Sequence, residues 1–231
     1  STMVSFFNNG SVKLVAGPVS YTSKTSFFQK FQELEFYSLI SSGAGAIGIG
    51  KPIFCNAANL AYSRDVIKIF NKVNDSKLAS GDDVFLLHSV KKKYPDSIRF
   101  ALDKNAIVTT EGKDNFSSFL GQRKRWAAKS TSYKDLMTIF VAILTFCVNL
   151  SFVFLLVYSV IKGDYNLLVI FYVTKFIADY LILAPALKFF NRKYLIKWIF
   201  IFEFFYCFYI ILIVLLSLIS PFKWKDRIYR K

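Results

Sequence analysis

Leu136–Ile161 reads LMTIFVAILTFCVNLSFVFLLVYSVI, 26 consecutive residues without a charge. A bilayer core about 30 Å thick is crossed by roughly 20 apolar residues in a helix. Two further runs follow: Asn166–Phe190, interrupted by Lys175, Asp179 and Lys188, and Ile196–Ser220, carrying Lys197 at its edge and Glu203 further in. Helices of this length and apolarity exceed what the core of a soluble protein uses, so the C-terminal part is expected to be a membrane region of about three helices.

Working outward, the chain has 231 residues with 30 Lys and Arg against 15 Asp and Glu, a formal net charge of +15. Before Leu136 the charges number 19 basic and 11 acidic and are spread as in a soluble domain; after it, 11 basic and 4 acidic residues gather in short clusters. An apolar fraction of 54% and an aromatic fraction of 18% exclude a disordered chain. Three cysteines exclude a disulfide framework and fit a reducing compartment. A single histidine leaves little room for a His-rich metal site.

The N-terminal part reads as mixed α/β. Ser1–Phe7 reads as the end of a helix and Val12–Ala16 as a strand ended by Gly17-Pro18. Phe27, Phe28, Phe31, Leu34, Phe36, Leu39 and Ile40 space a helix ending at Gly43. A loop and strand are expected over Pro52–Leu60, a helix over Ser63–Asn71, and a helix from Gly81 to about Lys92 whose acidic first turn suits the dipole. Strands are expected over Arg99–Leu102 and Ala106–Thr109, then a helix over Phe116–Ala128. The domains are read as 1–126, a connector 127–135, and a membrane region with a basic tail over 136–231.

Several features imitate sites. Gly43-Ala44-Gly45-Ala46-Ile47-Gly48 matches G-x-G-x-x-G, but that motif binds dinucleotides only between a strand and a helix. Here a helix precedes it, so a small-residue loop is expected. Lys91-Lys92-Lys93 reads as a solvated helix end, His88 as a structural residue, and Cys55 lacks a histidine partner other than His88 to activate it as a nucleophile. No nucleic-acid partner is expected; membrane lipid is.

Three stretches carry more together than singly: Phe54-Cys55-Asn56-Ala57-Ala58-Asn59-Leu60-Ala61-Tyr62-Ser63-Arg64, Ser80-Gly81-Asp82-Asp83-Val84-Phe85-Leu86, and Gln122-Arg123-Lys124-Arg125-Trp126. The last fits Q-x-x-R-W and lies ten residues before the first membrane run. In this order they resemble the inverting, membrane-bound family 2 glycosyltransferases, which include cellulose, chitin and hyaluronan synthases. The resemblance implies a GT-A-like α/β domain and transfer of a sugar, of the hexosyl type, from a nucleotide-diphosphate donor to a lipid-linked or saccharide acceptor, as in polysaccharide or glycolipid biosynthesis. It implies Asp83 as the base, with Asp82 orienting it or the acceptor. Gln122 and Arg125 would contact the diphosphate, where a guanidinium pairs with two oxygens at once; Trp126 and Asn59 would meet the acceptor. As an interfacial belt instead, Arg125 would snorkel and Trp126 would sit at headgroup depth.

The resemblance also implies a Mg or Mn ion, whose ligands cannot be named. The family's Asp-x-Asp motif occurs nowhere in these residues, so the α/β domain is expected to be incomplete, the C-terminal portion of a longer chain and inactive alone. Few membrane helices favour transfer of one or a few sugars over processive synthesis. A membrane-anchored, non-catalytic scaffold with a degenerate transferase domain is the alternative. Nucleotide sugars place the soluble part on the cytoplasmic side of the plasma (inner) membrane. Three full spans would then leave Lys223, Lys225, Arg227, Arg230 and Lys231 outside, against the preference for basic segments inside. Either that tail is tolerated outside or one run is re-entrant or interfacial, and the middle run, which Pro185 can break, is the best candidate. Lys175 and Asp179, four apart, share a face there.

Overall fold

The computed structural model describes residues 2–8, 10–22, 26–69 and 82–219, and the backbone of 222–224 and 227–229. The chain forms two compact units, Ser1–Gly112 and Lys113–Lys231. The first is mixed α/β and the second helical, as the sequence indicates.

In the first unit, helix α1 (Thr2–Ser5) precedes strands β1 (Leu14–Ala16) and β2 (Val19–Tyr21). Pro18 lacks an N–H and separates the two strands. β1 is the centre of a three-stranded sheet. It runs antiparallel to β3 (Leu60–Tyr62), with Leu14 opposite Tyr62, and parallel to β4 (Ile98–Phe100), with Leu14 opposite Ile98. β2 pairs in parallel with β5 (Val108–Thr110), Val19 opposite Val108. Side chains alternate across a strand, and β1 is covered on both faces. Leu14 and Ala16 pack with Ile47, Val66, Leu86 and Val90, while Val15 packs with Val12, Ala101 and Ala106.

Helix α2 (Phe27–Gly48) is capped by Ser26, whose Oγ accepts from the Gln29 N–H at 3.2 Å. The helix continues through the G-x-G-x-x-G stretch, correcting the expected stop at Gly43 and the expected loop. Each glycine costs a helix about 1 kcal/mol relative to alanine. Burial of Ala46 and Ile47 offsets that cost. Gly43 is needed for approach, because a Cβ there would lie 3.0 Å from the Phe54 carbonyl oxygen. Termination comes instead at Gly50, at φ +70°, where the Lys51 N–H bonds back to the Ala46 carbonyl at 2.8 Å. The expected helix over Ser63–Asn71 appears as a 3-10 turn at Arg64–Val66 followed by a helical turn at 67–69. Its last two residues, and Ser80 and Gly81, lie outside the described residues. Helix α3 (Asp82–Lys93) carries the acidic pair in its first turn and three lysines in its last, both favourable to the helix dipole.

The second unit contains helices α4 (Phe116–Ser130), α5 (Leu136–Lys162), α6 (Asn166–Phe189) and α7 (Ile199–Ile219). Asn115 caps α4 and Asp135 caps α5, each side-chain oxygen accepting a backbone N–H at 2.9 Å. α5 ends on Gly163 at φ +71°, the left-handed geometry that glycine adopts without a Cβ penalty. α6 runs unbroken through Pro185, which corrects the break expected there. Pro185 lacks the N–H that would bond to the carbonyl four residues back, at Leu181, so the helix forgoes that one bond. A 3-10 segment, Lys193–Trp198, leads into α7. Among the described residues, three stretches are long and apolar enough to cross a membrane: Leu136–Lys162, Asn166–Phe189 and Lys193–Ile219. Phe152 of α5, Leu168 of α6 and Cys207 of α7 form their common core. Phe154, Ile161 and Leu181 are among many outward apolar side chains, as a protein solvated by lipid requires. This is a membrane protein.

Candidate functional site

The acidic pair opens α3 beside the loop over residues 55–57. Asp82 is the first residue of α3. Asp83 Oδ1 accepts from the Val84 N–H at 2.9 Å, and Oδ2 accepts from the Ala57 N–H at 3.0 Å. The Cys55 thiol donates to the Asp83 backbone carbonyl at 3.3 Å. One short loop, residues 55–57, thus holds both the backbone and the carboxylate of Asp83. A carboxylate offers about four lone-pair positions, so these two N–H groups orient it while leaving each oxygen able to accept again. Burial, reinforced by the Asp83 charge, pushes the Cys55 thiol well above its ordinary pKa. That makes Cys55 a neutral donor rather than a nucleophile.

Asn56 opens the 3-10 turn Ala57–Asn59 by accepting the Ala58 N–H on its Oδ1 at 3.0 Å. Asn59, buried, donates both amide hydrogens to backbone: to Pro18 O at 2.9 Å and Ala106 O at 2.7 Å. Its own carbonyl accepts the Gly17 N–H at 2.8 Å. Asn59 therefore ties the β1–β2 corner to the loop that holds Asp83, and its Nδ2 hydrogens are already committed. A shallow cleft bounded by Gly17, Gly43, Phe54, Cys55, Asn56 and Phe100 adjoins this loop.

The Q-x-x-R-W motif lies on α4, in the second unit. Its spacing is helical: residues three and four apart share a face, so Gln122, Arg125 and Trp126 project from one side. Burial lowers the pKa of the partly buried Arg125 guanidinium, which still stays charged at any physiological pH. Arg123, between the motif positions, is 3% exposed. Its guanidinium carbon lies 4.6 Å from the Phe119 ring centre and 4.3 Å from that of Trp126. Its Nη1 donates to Gln122 Oε1. The sequence reading missed Arg123; the available signal was its position four residues after Phe119 and three before Trp126.

Among the described residues, no three His, Cys, Asp or Glu side chains converge to hold a metal ion. No metal ligand is assigned.

The family model described as glycosyl transferase family 21 matches residues 2–230. No curated protein matches the chain at a significant level. The match supports glycosyl transfer, and it is to family 21, not to the cellulose, chitin and hyaluronan synthase family that the motif order resembles. With an acidic pair opening one helix, Q-x-x-R-W on another, and a model that spans nearly every residue, the chain belongs to glycosyl transferase family 21.

Proposed function

We propose that the protein is a membrane-bound, inverting glycosyltransferase that moves a sugar, hexosyl in type, from a nucleotide-diphosphate donor to a lipid-linked or saccharide acceptor. The observation that carries this reading is the carboxylate of Asp83, held by the Ala57 and Val84 N–H groups at the start of α3. The acceptor hydroxyl oxygen attacks the anomeric carbon of the donor sugar. The bond from that carbon to the diphosphate oxygen breaks, and the hydroxyl proton passes to Asp83. A carboxylate is basic enough if the proton leaves late, when the attacking oxygen has become acidic. Asp82 orients the acceptor or the base. Arg125 and Gln122 receive the departing diphosphate, a charge-assisted contact that strengthens as the leaving group gains charge. Trp126 offers an apolar face to the acceptor sugar, and Asn59 supports the acceptor side through the loop it anchors. No ligand is assigned to the Mg or Mn ion implied by the motif resemblance, and no step is assigned to it. Nucleotide sugars are cytoplasmic, which places the α/β unit on the cytoplasmic side of the plasma (inner) membrane.

The test is Asp83→Asn in the intact protein in membranes, assayed against a panel of nucleotide sugars. The amide keeps the shape but has a single acceptor oxygen, so it retains only one of the hydrogen bonds from Ala57 and Val84, and it takes no proton. Transfer should fall by about 10² to 10⁴, with nucleotide binding retained. Wild-type turnover in this variant would remove Asp83 from the role of base.

A further inference from the structure

We propose that Arg123 is a positioning residue that sets the two motif side chains beside it, Gln122 and Trp126, for the diphosphate and the acceptor. The proposal rests on the reading of Q-x-x-R-W as a donor and acceptor site. The chain of support begins at a membrane helix. Phe119, fully buried, stacks on Tyr209 of α7 with ring centres 5.6 Å apart. The Arg123 guanidinium lies near both the Phe119 and the Trp126 rings, each within the roughly 6 Å over which a cation is drawn to an aromatic ring. The planar fork also donates to Gln122 Oε1.

The last contact fixes more than a distance. A primary amide can face a neighbour with its oxygen or its NH₂, and the two faces have opposite hydrogen-bonding character. Arginine only donates, so it holds the Gln122 oxygen toward itself. The two N–H donors of Gln122 are then presented to other partners, the character an anionic diphosphate demands. Arg123 thereby selects the amide orientation that binds phosphate and, through the ring contact, the orientation of the Trp126 face. Its guanidinium is engaged with Phe119, Gln122 and Trp126, so it is assigned to act through its neighbours rather than on the reacting atoms.

The substitutions separate the two effects. Arg123→Lys keeps a pure donor beside Gln122 but loses the flat guanidinium against the rings. Arg123→Met loses both. The probes are UDP and GDP, measured by equilibrium binding to the full-length protein in nanodiscs. Trp126 is followed in a Trp198→Phe, Trp224→Phe background by acrylamide quenching. Arg123→Met should weaken nucleoside-diphosphate binding about tenfold, equivalent to one hydrogen bond to a charged group, and raise quenching of Trp126. Arg123→Lys should recover most of the binding while Trp126 stays more quenchable than in the parent. A merely structural arginine would not divide the two readouts in this way.

If Arg123→Met does not fold, the Lys variant decides: quenching equal to the parent overturns the proposal. If Gln122→Ala and Arg125→Lys weaken binding but both Arg123 variants behave as the parent, the positioning role is wrong and the motif reading survives. If Gln122→Ala and Arg125→Lys leave binding unchanged, or the parent binds neither nucleotide, the motif reading itself fails and this proposal with it.

Discussion

At the scale of single residues, the loop beside Asp83 depends on one very close approach. Gly17 packs against the Asn59 amide so tightly that an added Cβ would stand 2.3 Å from Nδ2. That amide is pinned by hydrogen bonds to Pro18 and Ala106, so it cannot move aside without losing both. Gly17→Ala should therefore destabilise the α/β unit by about 1–3 kcal/mol, as overpacking in a well-packed interior does. Limited proteolysis and thermal melting of the intact protein in detergent measure the loss. Gly17→Ala combined with Asn59→Ala should cost less than the sum of the two single changes, because the second removes the atom the first collides with. Strict additivity would mean that the steric contact is not the cause.

At the scale of elements, α4 is where packing and chemistry meet. Phe119 is fully buried and reaches Tyr209 of α7, so Phe119→Ala should loosen α4 by about 3–5 kcal/mol, the usual range for a buried phenylalanine. Thermal denaturation followed by Trp126 quenching reports both the lost stability and the freed Arg123; an unchanged midpoint would show that α4 holds without this contact. Much of this level was legible in the sequence. The uncharged run Leu136–Ile161 announced α5, and the acidic pair before Val84-Phe85-Leu86 announced the start of α3. The far half of α2 was not legible. Glycine-rich sequence argues locally against helix, and long-range packing makes it favourable there: Ile47 in the core with Leu14 and Leu86, and Gly43 against Phe54. The Asp83–Ala57 hydrogen bond was equally hidden, since it joins positions 26 residues apart through a backbone N–H that no side-chain pattern reveals. Helical spacing alone places Arg123 beside Phe119 and Trp126, although it is not one of the fixed positions of Q-x-x-R-W.

At the scale of the whole molecule, the membrane region carries charge where lipid disfavours it. Lys175 is nine residues into α6, about 14 Å along its axis at 1.5 Å per residue. Its ammonium pairs with Asp179 at 2.8 Å on the same helix and with Glu203 on α7. The sequence spacing indicated the first partner; the second required the packing of two helices. The partners are unequal. Glu203 is 5% exposed at its side chain and Asp179 38%, so removing Lys175 strands a buried carboxylate as well as a half-exposed one. Leaving one buried charge uncompensated typically costs about 3–5 kcal/mol, whereas replacing a whole buried pair with apolar groups is often neutral. Lys175→Met should therefore sharply lower the temperature at which the detergent-solubilised protein loses its monodisperse peak. Adding Glu203→Gln to Lys175→Met should restore most of that loss, since the neutral amide no longer demands a cation. Asp179→Asn alone should have a small effect, because Lys175 retains Glu203. Equal effects for Asp179→Asn and Lys175→Met, without recovery in the double variant, would show that the interhelical contact contributes nothing. The charges would then have to be explained by something other than the joining of α6 to α7.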